Sequence, residues 1–168
     1  MGCEIKSPEI RGVVLDAETK QPVEGAWVRA IMEIKTKTVG GDVHTVLSVD
    51  TPHTRTDKQG RFVIPSKSFK KPSFPVGFGT EVESFDINAK TVDRIGGTGI
   101  DINELKKKEI EVAIYIRSIE KIYEEQYQKY LKEGIKKERA LELIEGDYFS
   151  SLQSLYRYCL TGRSSAEV

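Results

Sequence analysis

The sequence predicts a mainly β protein, in which an antiparallel β-sandwich is followed by C-terminal helices. Residues 9–64 alternate short runs of β-branched and aromatic residues with turn-forming Gly, Pro and Asp, and residues 111–117 (EVAIYIR) show the same alternation once more. After Ser118 the apolar residues recur at three- and four-residue spacing, which is typical of helices. We therefore divide the chain into three parts: a polar N-terminal tether (1–8), a sandwich (9–118) and a helical C-terminal extension of two or three helices (119–168).

The second predicted strand, residues 26–34, indicates which of its faces is buried. One face is uniformly apolar and should point to the core: Val28, Ala30, Met32 and Ile34. The other face carries Trp27, Arg29 and Glu33, which form the candidate binding surface because an exposed aromatic ring beside charged groups suits sugars or peptides. The alternative is that the helices cover this face and bury Trp27 in a second core.

Two glycine-containing segments are predicted to be turns. In Asp57-Lys58-Gln59-Gly60 the Asp57 side chain can cap the turn, while Gly60 supplies a positive φ. The Gly96-Gly97-Thr98-Gly99 run follows no phosphate-loop pattern and is predicted to be a flexible turn. It lies within residues 65–108, where we expect one or two strands joined by long connections.

The composition excludes several functional classes. Lys plus Arg and Asp plus Glu number 26 each, so no net charge attracts the chain to nucleic acid. No apolar run is long enough to span a bilayer. The two cysteines, Cys3 and Cys159, are too few and too far apart for a disulfide framework or a Cys-x-x-Cys metal site.

The start of the chain has two interpretations. Gly2-Cys3 followed by a short polar segment resembles the cleavage point of a bacterial lipoprotein precursor, which makes Cys3 the candidate lipidation site. The first residues contain no charged segment followed by an apolar stretch, so no intact signal peptide is expected. The other interpretation is that Met1 is the native start of a cytoplasmic protein.

Three segments together resemble the carboxypeptidase regulatory-like domain family: residues 10–16 (IRGVVLD), residues 21–28 (QPVEGAWV) and residues 56–62 (TDKQGRF). The resemblance implies a seven-stranded, transthyretin-like antiparallel sandwich, related in shape to carbohydrate-binding folds. It also implies a bacterial cell-envelope protein with a structural or binding role, which supports the lipoprotein interpretation of Cys3. The resemblance does not extend over residues 65–108 or the helical end.

The sequence predicts no catalytic, cofactor-binding or metal-binding residue. The alternative activity, hydrolysis of 5-hydroxyisourate by a transthyretin-like protein, requires a first-strand His, whereas this strand reads Gly12-Val13-Val14-Leu15-Asp16. An iron dioxygenase with the same sandwich would require both of the only histidines, His44 and His53. We therefore expect a non-catalytic binding or structural module, with a purely structural spacer as a further alternative.

The expected partners are a protein or a carbohydrate, together with a membrane reached only through the N-terminal anchor. A homodimer formed through the C-terminal helices is a further alternative, because those helices carry an apolar stripe and six of the seven tyrosines.

Overall fold

A computed structural model describes residues 4–38, 43–51, 53–70 and 77–161. The elements in chain order are β1 (Glu4–Lys6), β2 (Glu9–Asp16), β3 (Trp27–Thr38), β4 (Val43–Asp50), β5 (Thr54–Arg55), β6 (Arg61–Ile64), β7 (Ser68–Lys70), β8 (Gly77–Lys90), β9 (Arg94–Gly99), a 3₁₀ turn (Ile102–Lys106), β10 (Glu109–Ser118), α1 (Ile119–Lys132) and α2 (Lys137–Thr161). The protein is therefore mainly β with two C-terminal helices, which confirms the predicted fold class.

The main sheet has the strand order β4-β3-β8-β9-β10-β2-β6, with β5 also beside β3, and it curls into a nearly closed sandwich. The described strands number ten rather than the seven expected. They are also not all antiparallel, because β10 lies parallel to β2. This pairing begins with Glu109 beside Glu9 and ends with Ile116 beside Asp16. The chain between these two strands forms the rest of the sandwich and so provides the long crossover that a parallel pair requires.

The core lies between the two layers of the sandwich. The predicted inward face of β3 is confirmed, since Val28, Ala30, Met32 and Ile34 are all buried. They form one cluster with apolar residues of β2, β6, β8 and β10, among them Ile10, Phe62, Phe85, Ile87 and Ile114. Among the described side chains, all buried members of this cluster lie between Ile10 and Ile116.

The predicted turn before β6 is confirmed in its details. The Asp57 side chain accepts hydrogen bonds from the backbone N–H groups of Gln59 (2.9 Å) and Arg61 (2.8 Å). Gly60 has φ of 70°, as the turn requires. The preceding Thr56 hydroxyl donates to the carbonyl oxygen of Val23 (2.7 Å) and accepts from the N–H of Ala26 (2.8 Å). These bonds attach the turn to the start of β3.

The structure corrects the prediction for residues 65–108. The run Gly96-Gly97-Thr98-Gly99 is not a turn but part of β9, and β8 is a central strand of fourteen residues. The glycines fit a strand here because the neighbouring backbone comes very close: a Cβ on Gly96 would lie 2.1 Å from the carbonyl oxygen of Tyr115. Of the described residues in this segment, those of β8 and β9 therefore belong to the main sheet.

The described part of the predicted tether belongs to the fold. β1 pairs antiparallel with β7, and Ile5 packs against the core. Ser7 is buried, and its hydroxyl accepts a hydrogen bond from the N–H of Lys67 (3.0 Å). Residues 4–8, within the segment predicted to be a polar tether, are thus held against the sandwich.

The two helices form an antiparallel hairpin at the end of β10. Ser118 occupies the N-cap position of α1, although its side chain makes no capping hydrogen bond. The hydroxyl groups of Tyr123 and Ser151 lie 2.8 Å apart and join α1 to α2, and Ala140 and Ile144 are buried. Within the described residues, neither helix has the length and apolar character needed to cross a bilayer.

Candidate functional site

The predicted surface residues Trp27, Arg29 and Glu33 lie on the outer face of β3, and each is half-buried. The predicted lipidation site, Cys3, lies outside the described residues. The alternation of side chains along β3 therefore places Trp27, Arg29 and Glu33 on one face. The residues around them determine what this face can bind.

The Trp27 ring is already in contact with two side chains from the β5 region. The Arg55 guanidinium carbon lies over the indole, 4.1 Å from the ring centroid, and His53 meets it edge-on at 6.3 Å between centroids. Arg55 therefore covers one face of the indole, and a ligand can stack on that face only if Arg55 moves. Glu33 accepts a hydrogen bond from the Ser84 hydroxyl at 3.3 Å.

A groove with a volume of about 430 Å³ lies beside this surface, between the sheet and α2. The sheet side is formed by Asn88, Lys90, Ile95 and Gly96, and the helical side by Ile119, Ser150 and Ser151. Lys90 and Asn88 are the β8 partners of Trp27 and Arg29 in the antiparallel pairing, so the groove continues the predicted surface across the sheet. We name it the sheet groove.

The sheet groove shows what lies over part of the outer face. Among the described side chains of α2, those that line the groove are the small Ser150 and Ser151, which leave space above β8 and β9. Trp27 itself is half-buried, and a second core above it stays an alternative prediction. Helix α2 lies beside the outer face, so this part of the sheet forms one side of the sheet groove.

Two glycines of β9 leave room beside polar side chains of β8 near the sheet groove. Gly97 pairs with Asn88 and Gly99 pairs with Asp86. A Cβ on Gly97 would lie 2.5 Å from the Asn88 side-chain oxygen, and one on Gly99 would lie 3.4 Å from an Asp86 carboxylate oxygen. The missing side chains on β9 therefore leave room for the polar groups of β8.

The groove offers hydrogen-bonding groups of several kinds. The Asn88 amide both donates and accepts, the Ser150 hydroxyl does the same, and the Lys90 ammonium donates. Ile95 and Ile119 add apolar surface beside them. This combination suits an uncharged, hydroxyl-rich ligand better than an apolar one.

Sequence reasoning did not find the groove residues Asn88, Lys90, Ser150 and Ser151. The signal for β8 was present, because polar Asp86, Asn88 and Lys90 alternate with apolar Phe85, Ile87 and Ala89. No comparable signal exists for the serines, since their place opposite the sheet depends on how the helical hairpin packs.

The two histidines lie far apart. His53 contacts Trp27, the first residue of β3. His44 is the extra residue of a bulge in β4, between residues that pair with Thr36 and Lys37 of β3. The ten residues of strand from Trp27 to Lys37 span about 33 Å at roughly 3.3 Å per residue. The backbone positions of His44 and His53 therefore lie near opposite ends of β3. Within the described part of the chain, no three His, Cys, Asp or Glu side chains are grouped to hold a metal ion.

No protein-family model matches the chain, and no curated protein matches it. Two solved structures are similar to it. One is the C-terminal domain of the shaft pilin SpaA from Lactobacillus rhamnosus GG, with a TM-score of 0.34 and 14% identity over 67% of this chain and 98% of the pilin chain. The other is 5-hydroxyisourate hydrolase from Klebsiella pneumoniae, with a TM-score of 0.29 and 15% identity over 66% of this chain and 90% of the hydrolase. Likenesses at this level identify neither a family nor an activity.

Proposed function

We propose that the protein is a non-catalytic recognition module of a bacterial cell-envelope lipoprotein, of the carboxypeptidase regulatory-like type, and that its sheet groove binds a carbohydrate. The observation that carries the proposal is the groove itself. It places an amide, a hydroxyl and an ammonium group beside two isoleucines and next to the Trp27 surface. Carbohydrates are bound by this mixture of hydrogen-bonding and apolar groups.

The separation of the two histidines supports the non-catalytic part of the proposal. The hydrolase and the dioxygenase interpretations each need two histidines at one centre, and the strand register places His44 and His53 near opposite ends of β3. Incubating the full chain with 5-hydroxyisourate tests this point. We expect decay at the uncatalysed rate, and any enzyme-dependent turnover contradicts a non-catalytic role.

Carbohydrate binding is tested on an array of purified bacterial cell-wall oligosaccharides. We expect the full chain to bind at least one of them. Ser150→Trp fills the groove from α2, and Asn88→Ala removes the amide; each should weaken binding at least about tenfold, which equals 1.4 kcal/mol. The control is Glu138→Trp, which places the same large side chain at an exposed position in the first turn of α2. Failure of the array to bind the chain, or equal binding by Ser150→Trp, contradicts the carbohydrate site and favours a structural spacer.

The lipid anchor is tested separately. The natural gene, with its upstream codons, is expressed in bacteria supplied with labelled palmitate. We expect label on the protein, and loss of that label in Cys3→Ser. An unlabelled wild-type protein that begins at Met1 contradicts the anchor and places the module in the cytoplasm.

A further inference from the structure

A second groove lies on the helical hairpin, between α1 and α2, with a volume of about 250 Å³. Its floor is mostly aromatic and is formed by Tyr123, Tyr127 and Tyr148, with Leu141 beside them. Leu141 is 40% exposed, and the neighbouring Phe149 is 65% exposed while its ring meets Tyr148 at 5.6 Å. We name this surface the hairpin groove.

The charges along the hairpin groove all have one sign. Among the described side chains, the charged residues that line it are Glu120, Glu124 and Glu145. Glu120 and Glu124 lie one helical turn apart on α1, and Glu145 lies on α2 across from them. The groove is therefore an apolar strip between carboxylates of both helices.

Some of the other acidic residues in and next to these helices are already paired. Glu142 pairs with Arg139 at 3.0 Å, and Glu133 pairs with Lys129 at 3.8 Å. Among the described side chains, none of the three groove carboxylates takes part in an ion pair, and the one hydrogen bond they make is from the Gln128 amide to Glu124 at 2.9 Å. These carboxylates are therefore available to pair with the cations of a ligand.

We propose that the hairpin groove binds a basic amphipathic helix of a partner protein. The apolar stripe of such a helix, with residues at i, i+3 or i+4 and i+7, would lie on the tyrosines and Leu141. Its flanking Lys or Arg side chains would pair with Glu120, Glu124 and Glu145. Aromatic rings beside carboxylates also favour cations, because the ring face attracts positive charge.

The same charges argue against two other occupants. A second copy of this chain, docked through the same surface by a two-fold axis, would bring carboxylates against carboxylates. An anionic membrane would be repelled by the three glutamates. A basic helix is the occupant that satisfies both the apolar and the acidic part of the groove. This inference is independent of the sheet groove and of the lipid anchor.

The test uses two fluorescein-labelled peptides with the same apolar pattern and opposite charge, LKKLLKLLKKLLKL and LEELLELLEELLEL, titrated with the full chain while anisotropy is recorded. We expect the Lys peptide to bind at least about tenfold more tightly than the Glu peptide, with affinity that falls as salt rises. The triple variant Glu120→Gln, Glu124→Gln, Glu145→Gln should weaken binding of the Lys peptide at least about tenfold.

The matched control is Glu133→Gln, Glu138→Gln, Glu142→Gln, which removes the same charge from the same helices outside the groove and should bind as the wild type does. Leu141→Asp removes the apolar contact and should also weaken binding, with circular dichroism confirming that the helices remain. Equal affinity of the two triple variants overturns the proposal. A concentration-dependent dimer that Leu141→Asp dissociates also overturns it, in favour of a second copy. Neither outcome alters carbohydrate binding at the sheet groove, so the two proposals fail separately.

Discussion

Single residues in this sandwich are constrained by how closely its strands approach. Gly12 lies on β2 between β6 and β10, and a Cβ at this position would lie 2.4 Å from the carbonyl oxygen of Val112 and 2.8 Å from the Phe62 ring. The contact with Val112 is to backbone, which cannot move without disturbing the parallel pairing.

We predict that Gly12→Ala lowers the free energy of unfolding by about 1–3 kcal/mol, the usual cost of overpacking. Urea denaturation of both proteins measures the difference. A variant as stable as the wild type would show that β2 and β10 are further apart than described.

Thr56 provides a second prediction at the residue scale. Its hydroxyl bonds the carbonyl oxygen of Val23 and the N–H of Ala26, and both Thr56 and Ala26 are buried. Thr56→Val keeps the shape of the side chain but leaves the backbone groups without that partner, which should cost about 1–3 kcal/mol. Thr56→Ser retains the hydroxyl and is the control, expected to lose less than half as much in the same denaturation experiment.

At the scale of elements, α2 continues without a break through Gly146, a residue that usually disfavours helix interiors. A Cβ at Gly146 would meet no atom within 4 Å. We therefore predict that Gly146→Ala stabilises the protein by about 0.5–1 kcal/mol. Thermal unfolding checks this, and the same substitution at Gly12 should act in the opposite direction. A lower melting temperature for Gly146→Ala would contradict the continuous helix.

The sequence was sufficient to predict elements whose signals are local. Alternation of apolar and polar residues predicts the strands β2, β3 and β10, and turn-forming residues predict the turn from Asp57 to Gly60. Helical spacing of apolar residues predicts the start of α1. The inward face of β3 was predictable for the same reason.

Features that depend on distant contacts were not predictable in this way. The glycines of β9 look like a turn in the sequence and form a strand only because the backbone of Tyr115 lies against Gly96. The parallel pairing of β2 with β10 joins segments about a hundred residues apart, as in the pair Glu9 and Glu109. The sheet groove was missed because Asn88 and Ser150 meet only after the hairpin packs beside the sheet.

At the scale of the whole molecule, the main buried cluster lies in the sandwich. Among the described side chains, its buried members lie between Ile10 and Ile116. Ile119, at the start of α1, is also buried, and its N–H donates to the carbonyl oxygen of Asp93 at 2.9 Å. We predict that a chain ending after Ile119 still folds, with a β-type circular dichroism spectrum and one cooperative unfolding transition. An unfolded truncated chain would show that the hairpin is required for the sandwich.

We propose that carbohydrate binds to the outer face of β3 and β8, with α2 beside it. Trp27 is the only tryptophan in the chain and lies opposite Lys90 of the sheet groove, so its fluorescence reports on this surface without a label. Titration with the cell-wall oligosaccharide selected on the array should change the Trp27 emission in a saturable manner. The comparison is Asn88→Ala, because Ser150→Trp would add a second indole. For Asn88→Ala we expect the oligosaccharide concentration at the midpoint of the titration to be at least about tenfold higher than for the wild type. Saturable binding that leaves Trp27 emission unchanged and is unaffected by Asn88→Ala would contradict the claim, because the ligand would then lie elsewhere on the protein.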